Sequence, residues 1–134
     1  MKILILDDIK HRHDVFVKRY MDLYPSAEIV NAYCYSDFVN NWKAKDWDLV
    51  HLDHDLDDFY HSPDSYTAMD GSKRFYNGQD ATNVVIEDVN NGKKKPSVII
   101  HSINGTAAQW MLHDFKKNNF DVIWDPFTQD DWFV

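Results

Sequence analysis

Five short apolar runs alternate with segments of helical spacing, and this alternation constrains the fold of the 134-residue chain more than any other feature. Lys2 to Leu6 reads Lys-Ile-Leu-Ile-Leu. A continuous apolar run suits a strand buried on both faces. From about Asp8 to Tyr24, Phe16, Tyr20 and Leu23 recur at helical spacing and Pro25 closes the segment, so it reads as a helix. Glu28 to Tyr33 forms a second strand candidate, and Ser36 is placed to cap a short helix carrying Phe38, Val39 and Trp42. Asp48 to Leu52 is a third strand, and Val84 to Val89 is helical again, stopped by Gly92 and Pro96. Ser97 to His101 is a fourth strand. Thr106 with Gln109 resembles a capping box ahead of a helix face of Ala108, Met111, Leu112 and Phe115, and Phe120 to Trp124 is a fifth strand.

This order predicts an α/β fold: a three-layer α/β/α sandwich around five parallel strands in the order 2-1-3-4-5. Right-handed crossovers set the carboxyl ends of the strands along one edge, where such sheets bind ligands. The length fits a single domain over 1–134. One irregular stretch, from about Leu56 to Gly78, leaves the functional edge and carries Tyr60, Tyr66, Phe75 and Tyr76. A loop of that length is expected to serve function, as a lid or specificity wall.

Charge narrows the partners. The chain carries a formal net charge of −8, which argues against a non-specific grip on nucleic acid, since that grip neutralises phosphates with Lys and Arg. A small anionic ligand needs only a local pocket. Cys34 stands alone, so no internal disulfide forms and a reducing compartment fits. No apolar run approaches the roughly 20 residues of a membrane span, and Asp7 and Asp8 interrupt the first apolar stretch before a signal peptide could form. The expectation is a cytoplasmic protein; its oligomeric state is not legible.

The residues following the strands carry the chemistry. Asp7 and Asp8 follow the first, with His11, Arg12 and His13 just behind; Asp53-His54-Asp55 follows the third; His101-Ser102-Ile103-Asn104 follows the fourth; Asp125-Pro126-Phe127 follows the fifth. Strand ends face solvent and favour polar residues anyway. That plain reading does not account for two histidines, His54 and His101, on loops of neighbouring strands about 4.8 Å apart. Arg12 can fork two phosphoryl oxygens or simply pair with Asp8 or Asp55. Asn104 either caps a helix or opens an amide cradle for an oxyanion. Asp7, Asp8, Asp53 and Asp55 suit a hard cation such as Mg²⁺. The pairs His13-Asp14, His54-Asp55 and His113-Asp114 invite an HD-hydrolase reading, but those sites are built on helices and this chain alternates. Cys34 and His113 read as structural, and His61 in the long loop has no assigned role.

Paired acids after the first strand, an Asp after the third, a hydroxyl after the fourth and Pro-Phe after the fifth resemble response-regulator receiver domains over nearly the whole chain. The resemblance implies a flavodoxin-like fold, Asp7 and Asp8 as Mg²⁺ ligands with Asp53, Asp53 as phosphoacceptor and Ser102 as the switch hydroxyl. The receiver lysine is replaced by Asp125, which speaks against phosphotransfer signalling. Leu6-Asp7-Asp8 with Arg12-His13, the string Leu52-Asp53-His54-Asp55-Leu56, Gly78-x-Asp80-Ala81 and Ile100-His101-Ser102-x-Asn104 together resemble a divergent branch, the cyclic-phosphate processing receiver domains. That resemblance implies action on a cyclic phosphate or a related small phosphorylated nucleotide.

Opening a cyclic phosphate with water needs a base for the nucleophile and an acid for the leaving oxygen, roles that two histidines can divide near neutral pH. The expected catalytic set is therefore His54, His101 and Asp53. Arg12, Ser102 and Asn104 bind the phosphate, and Asp55 and Asp8 orient. No cofactor is required unless Mg²⁺ sits on Asp7, Asp8 and Asp53. The alternatives are a degenerate receiver that binds a nucleotide or protein partner without chemistry, and a metal-dependent phosphatase with Asp53 as nucleophile.

Overall fold

The structure, a computed structural model, describes residues 1–56 and 64–127. Tyr60 and His61 lie outside them. In chain order the elements are β1 (Lys2–Leu6), α1 (Lys10–Leu23), β2 (Glu28–Ala32), α2 (Tyr35–Ala44), β3 (Leu49–Leu52), β4 (Ser65–Thr67), β5 (Lys73–Phe75), α3 (Gly78–Asn90), β6 (Ser97–Ile100), α4 (Gly105–Lys117) and β7 (Val122–Trp124). Strands β2-β1-β3-β6-β7 form one parallel sheet in that order. Counting its five strands along the chain gives the expected 2-1-3-4-5.

Strand alternation divides the core. Leu4, Leu6, Val50, Leu52, Val98 and Ile100 face one way and pack against Phe38 and Trp42 of α2, Val85 of α3 and Met111 and Phe115 of α4. Ile3 and Ile5 face the other way, onto Val15 and Phe16 of α1 and onto Phe127. Burying side chains of this size contributes roughly 1.5–3 kcal/mol each. Leu23, expected on the buried stripe of α1, is instead 68% exposed; Phe16 is buried. The helix ends at Leu23, one turn past the sheet-facing residues, so its last apolar position has nothing to cover it.

Two caps differ from expectation. Ser36 lies inside α2, whose first residue is Tyr35, and its backbone N–H donates to the Asp64 carboxylate at 2.7 Å. A carboxylate from the long connection thus does the capping. Helix α4 starts at Gly105, so Thr106 and Gln109 do not form its cap; Asn104 does, accepting from the Ala107 N–H.

Part of the stretch expected to be irregular is a β-hairpin. Strands β4 and β5 pair antiparallel, Tyr66 opposite Arg74, across a turn in which Gly71 has φ of 84°. Tyr76 stacks on Tyr35 of α2 with ring centroids 4.2 Å apart. The hairpin is thereby tied to the body of the domain. No described helix is long and apolar enough to cross a membrane.

Candidate functional site

The carboxyl ends of β1, β3 and β6 converge, as parallel strands with right-handed crossovers require. Asp7, Asp8, Asp53, His101 and Ser102 are all buried there. Arg12 reaches in from the first turn of α1. Its Nη1 lies 3.6 Å from Asp7 Oδ2 and 3.5 Å from Asp53 Oδ2, so one guanidinium nitrogen spans both acids loosely. The guanidinium rests 5.4 Å from the centre of the Phe127 ring. Its buried Nε–H has no partner among the described residues, which leaves a donor beside the acids.

Asp7 is saturated. Oδ1 accepts from the Ile9 N–H at 2.8 Å and Oδ2 from His101 Nε2 at 2.7 Å. Burial alone would raise its pKa, but the His101 hydrogen bond and the charge beside it outweigh that, so the carboxyl titrates lower than usual and stays ionised. Asp53 goes the other way. Burial, then the charge of Asp7, push it well above the ordinary 3.8, and Arg12 offsets only part of this. Two facing carboxyls have been driven apart in proton affinity, the arrangement from which acid–base pairs are built.

His101 belongs to the interior. It is 1% exposed, with Nε2 on Asp7 and Nδ1 3.3 Å from His51 Nδ1. His51 Nε2 is hydrogen-bonded in turn to the Tyr20 hydroxyl. The protons on this chain can be placed. The Asp7 carboxylate only accepts, so His101 carries its proton on Nε2. Burial pushes both histidine pKa values down, so each ring is neutral with one acceptor nitrogen. His101 Nδ1 therefore accepts from His51 Nδ1–H, and His51 Nε2 accepts from the tyrosine. Tyr20, pushed up to about 12 chiefly by burial, keeps its proton. Every donor in the chain Tyr20–His51–His101–Asp7 points towards the site.

His54 has different surroundings. Its side chain is 18% exposed and its Nδ1 lies 2.7 Å from Asp55 Oδ1. With Nδ1–H donated to Asp55, Nε2 carries the lone pair. Asp55 also accepts from Asn104 Nδ2 at 3.4 Å. The expected division of labour between two rings on one phosphorus does not match this burial. His101 is enclosed with Nε2 on Asp7, while His54 is part-exposed with Nδ1 on Asp55.

A cleft of about 120 Å³ is lined by Asp8, Arg12, Asp53, Asp55, Ser102 and Ile103. A space of this size is on the scale of a phosphoryl group and well below the roughly 300–1,000 Å³ of a site for a whole small molecule. Ser102 Oγ accepts from the Asn104 N–H at 3.1 Å. Asn104 is thus both a helix cap and part of the wall around His54. Asp125, at the receiver-lysine position, is exposed, and its charge bears on Tyr20 rather than on the acids. The cation beside Asp53 comes from Arg12.

Sequence reasoning found the strand-end acids, Arg12 and His54, and it missed His51, Tyr20 and the role of His13. His13 is fully buried, with Nε2 2.7 Å from the Asp7 carbonyl oxygen and Nδ1 2.7 Å from Asn31 Oδ1, so it pins the β1–α1 turn.

Gly78 explains one quoted string. A Cβ there would stand 2.0 Å from the Asp53 carbonyl oxygen and 2.7 Å from His54 Cα, and the Gly78 N–H donates to the His54 carbonyl at 2.8 Å. Gly78→Ala should push Asp53 and His54 out of place and cost about 1–3 kcal/mol. Thermal melting and ligand binding should both suffer.

Asp53→Asn should do the opposite to stability. Asp53 binds its proton more tightly folded than unfolded, so its contribution is greatest below 3.8 and is lost as pH rises through the raised folded value. At neutral pH the amide removes the cost of this carboxyl, whether met as a buried charge or as a proton taken up on folding. We expect Tm, measured in EDTA, to rise by a few degrees, the size about 1 kcal/mol produces in such a chain, with a smaller gain in acid.

The donor set fits a divalent cation. Asp7, Asp53 and His101 can each offer a ligand atom within 4.8 Å of the others. Because His101 Nε2 donates to Asp7, the oxygens of Asp7 and Asp53 are the atoms of this group open to a cation; Asp8, the third expected ligand, is not part of it.

Comparison with solved structures returns receiver domains. The response regulator TrrA of Thermotoga maritima, solved with Mg²⁺ and BeF, is 12% identical with a TM-score of 0.61, over 96% of this chain and 88% of that one. The HemR receiver domain of Leptospira biflexa is 16% identical with a TM-score of 0.64, over 98% and 87%. A CheY-like receiver domain of Methanospirillum hungatei JF-1 is 17% identical with a TM-score of 0.58, over 98% and 86%. At these identities the likeness is one of fold. No curated protein matches the chain. A family model described as "Cyclic-phosphate processing Receiver domain" matches residues 2–117. With that match spanning most of the chain, from the start of β1 through the end of α4, the chain belongs to the cyclic-phosphate processing receiver domain family.

Proposed function

We propose that the chain hydrolyses a cyclic phosphodiester of a nucleotide at the cleft between β1, β3 and β6. The observation that carries this reading is Arg12: a guanidinium held loosely between Asp7 and Asp53, with a donor that has no partner among the described residues, in a cleft sized for a phosphoryl group. Charge on the phosphoryl oxygens shifts and grows towards the transition state, so a fixed guanidinium gives its largest effect there.

In this reading His54 Nε2 takes a proton from water as its oxygen bonds to phosphorus. The ring ester P–O bond breaks, and the leaving oxygen takes a proton from Asp53, the carboxyl whose burial favours its protonated form. Asp55 holds the His54 tautomer, as expected of an orienting acid. Ser102 and Asn104 shape the wall. His101 is a positioning residue for Asp7, which keeps the expected pair of histidines in the machinery with unequal roles. Mg²⁺ or another divalent cation on Asp7, Asp8 and Asp53 would supply further positive charge at the phosphoryl oxygens.

The test is turnover of 2′,3′- and 3′,5′-cyclic nucleotides and ADP-ribose cyclic phosphate, followed by ³¹P NMR, in EDTA and in Mg²⁺. Appearance of a phosphomonoester that Arg12→Ala abolishes supports the reading. Survival in EDTA assigns the reaction to the protein side chains alone, and loss assigns a cation to the three acids. Binding at Arg12 without turnover of any of these would overturn hydrolysis and leave a nucleotide-binding receiver.

A further inference from the structure

The cleft admits a phosphoryl group and no nucleoside, so any nucleoside must lie outside it. His54 stands between two cavities that open beside the cleft. One, of about 330 Å³, is lined by Arg74, Phe75 and Tyr76. The other, of about 430 Å³, is lined by Gln79, Thr106 and Trp110. His54 and Asn77 line both. Each volume falls at the lower end of the roughly 300–1,000 Å³ typical of small-molecule sites.

The two cavities share a composition. Each presents a part-exposed aromatic ring: Phe75 is 43% exposed, with the Lys73 ammonium 5.4 Å from its ring centre, and Trp110 is 65% exposed. In each cavity the ring lines the same space as polar side chains, the composition of a small-molecule site. Each also has groups able to read a base edge, namely Arg74 and Asn77 Nδ2 on one side and Gln79 Oε1, Thr106 and Asn77 Nδ2 on the other; Asn77 Oδ1 caps α3, and Gln79 Nε2 donates to Asn83 and Asp114. A ring to stack on and a few convergent hydrogen-bonding groups are what a nucleobase requires. The walls are fixed from behind. Tyr76 stacks on Tyr35, and Gln79 Nε2 donates to Asp114 Oδ2 at 2.9 Å.

A mononucleotide cyclic phosphate has one base and can fill one of these cavities. We infer that the site takes a phosphodiester with a nucleobase on each side of the phosphorus, a cyclic dinucleotide, one base stacking on Phe75 and the other on Trp110. This rests on the hydrolytic reading for the position of the phosphate, and it adds the substrate class. The hairpin β4–β5 then serves as one base-binding wall, and the first turns of α3 and α4 serve as the other.

The experiment compares cyclic diadenylate with 3′,5′-cyclic AMP on the full chain, as kcat/KM where a probe is turned over and as Kd by calorimetry in either case. The variants are Phe75→Ala, Trp110→Ala and the double variant. Both residues are exposed, so the fold is retained, which melting checks. Stacking of one base is worth on the order of 5- to 150-fold in affinity by alanine substitution. Each single variant should weaken the dinucleotide by that factor, and the double variant by about the product. Cyclic AMP should bind more weakly than the dinucleotide and respond to one variant only. Equal handling of the two probes, or a dinucleotide indifferent to either variant, would overturn the inference. Turnover of cyclic AMP with no engagement of the dinucleotide sinks the substrate class and leaves hydrolysis standing. If neither probe is bound or turned over, the substrate class falls, and hydrolysis then stands or falls on the 2′,3′-cyclic nucleotides and ADP-ribose cyclic phosphate.

Discussion

His54→Ala should lower kcat on a cyclic phosphodiester by about 10²–10⁴-fold, the usual effect of removing a general base. Its melting temperature should move little. The structural contacts of this residue are made by its backbone: its N–H donates to Asp53 Oδ1 at 2.9 Å and its carbonyl accepts from Gly78 at 2.8 Å. Both persist in alanine. His54→Gln keeps much of the shape but cannot carry a proton, so KM should hold while kcat falls. The alkaline limb of the rate profile belongs to Asp53 in the reaction without metal. Its acid form is the active one, so rate in EDTA should fall as pH rises through the raised folded value. A kcat for His54→Ala within a few-fold of the parent would remove His54 from the chemistry.

That His54 was legible and His51 was not has a physical explanation. Residues at the carboxyl ends of parallel strands have nowhere to point but the functional edge, so Asp7, Asp53, His54 and Ser102 follow once the strands are placed. The strands themselves announce their positions, because Lys2–Leu6 and Ser97–Ile100 are buried on both faces and need no alternation. His51 sits inside such a run, where the pattern reads only as strand. The signal was available: a histidine between Val50 and Leu52 must be buried, and a buried polar ring needs partners. Tyr20 was read into the apolar stripe of α1, although its hydroxyl was equally in need of one. The burial of His101 was hidden for the same reason that made it visible as a candidate. It is the last residue of an apolar run, and whether such a side chain turns inward or outward is set by its neighbours. Strands β4 and β5 escaped because three-residue polar strands carry no period, although Asp70-Gly71 is a recognised turn pair. Asn104 was read both as a cap and as a phosphate ligand, and the cap alone is seen in the geometry.

His101→Ala should cost about 3–5 kcal/mol, the size of loss seen when a buried charge is left without its partner. Against a total stability of roughly 5–15 kcal/mol, this lowers Tm on the order of 10–20 °C. The reason is Asp7, ionised and fully buried, which loses its 2.7 Å donor while the cavity above Phe16 opens. Loss of activity in that variant would therefore say nothing about proton transfer by His101. Tyr20→Phe separates the two questions. It removes one hydroxyl, costs about 1 kcal/mol, and leaves His51 Nε2 without a donor. The His51 ring is then released to carry its proton on Nε2, which turns its Nδ1 lone pair against that of His101. Nitrogen-15 spectra of the histidine rings should show the parent with His51 protonated on Nδ1 and His101 on Nε2, and a changed population in the phenylalanine variant. An unchanged spectrum would mean that the tyrosine does not set the tautomers. The same chain fixes how acid unfolds the protein. His51 and His101 refuse protons in the folded state that the unfolded chain accepts near the ordinary 6.5. Stability is therefore present above 6.5 and declines as pH falls below it, earlier than the carboxylates alone would require. Replacing His51 with phenylalanine, which fills the site without a titrating ring, should flatten the slope between pH 6.5 and the carboxylate range.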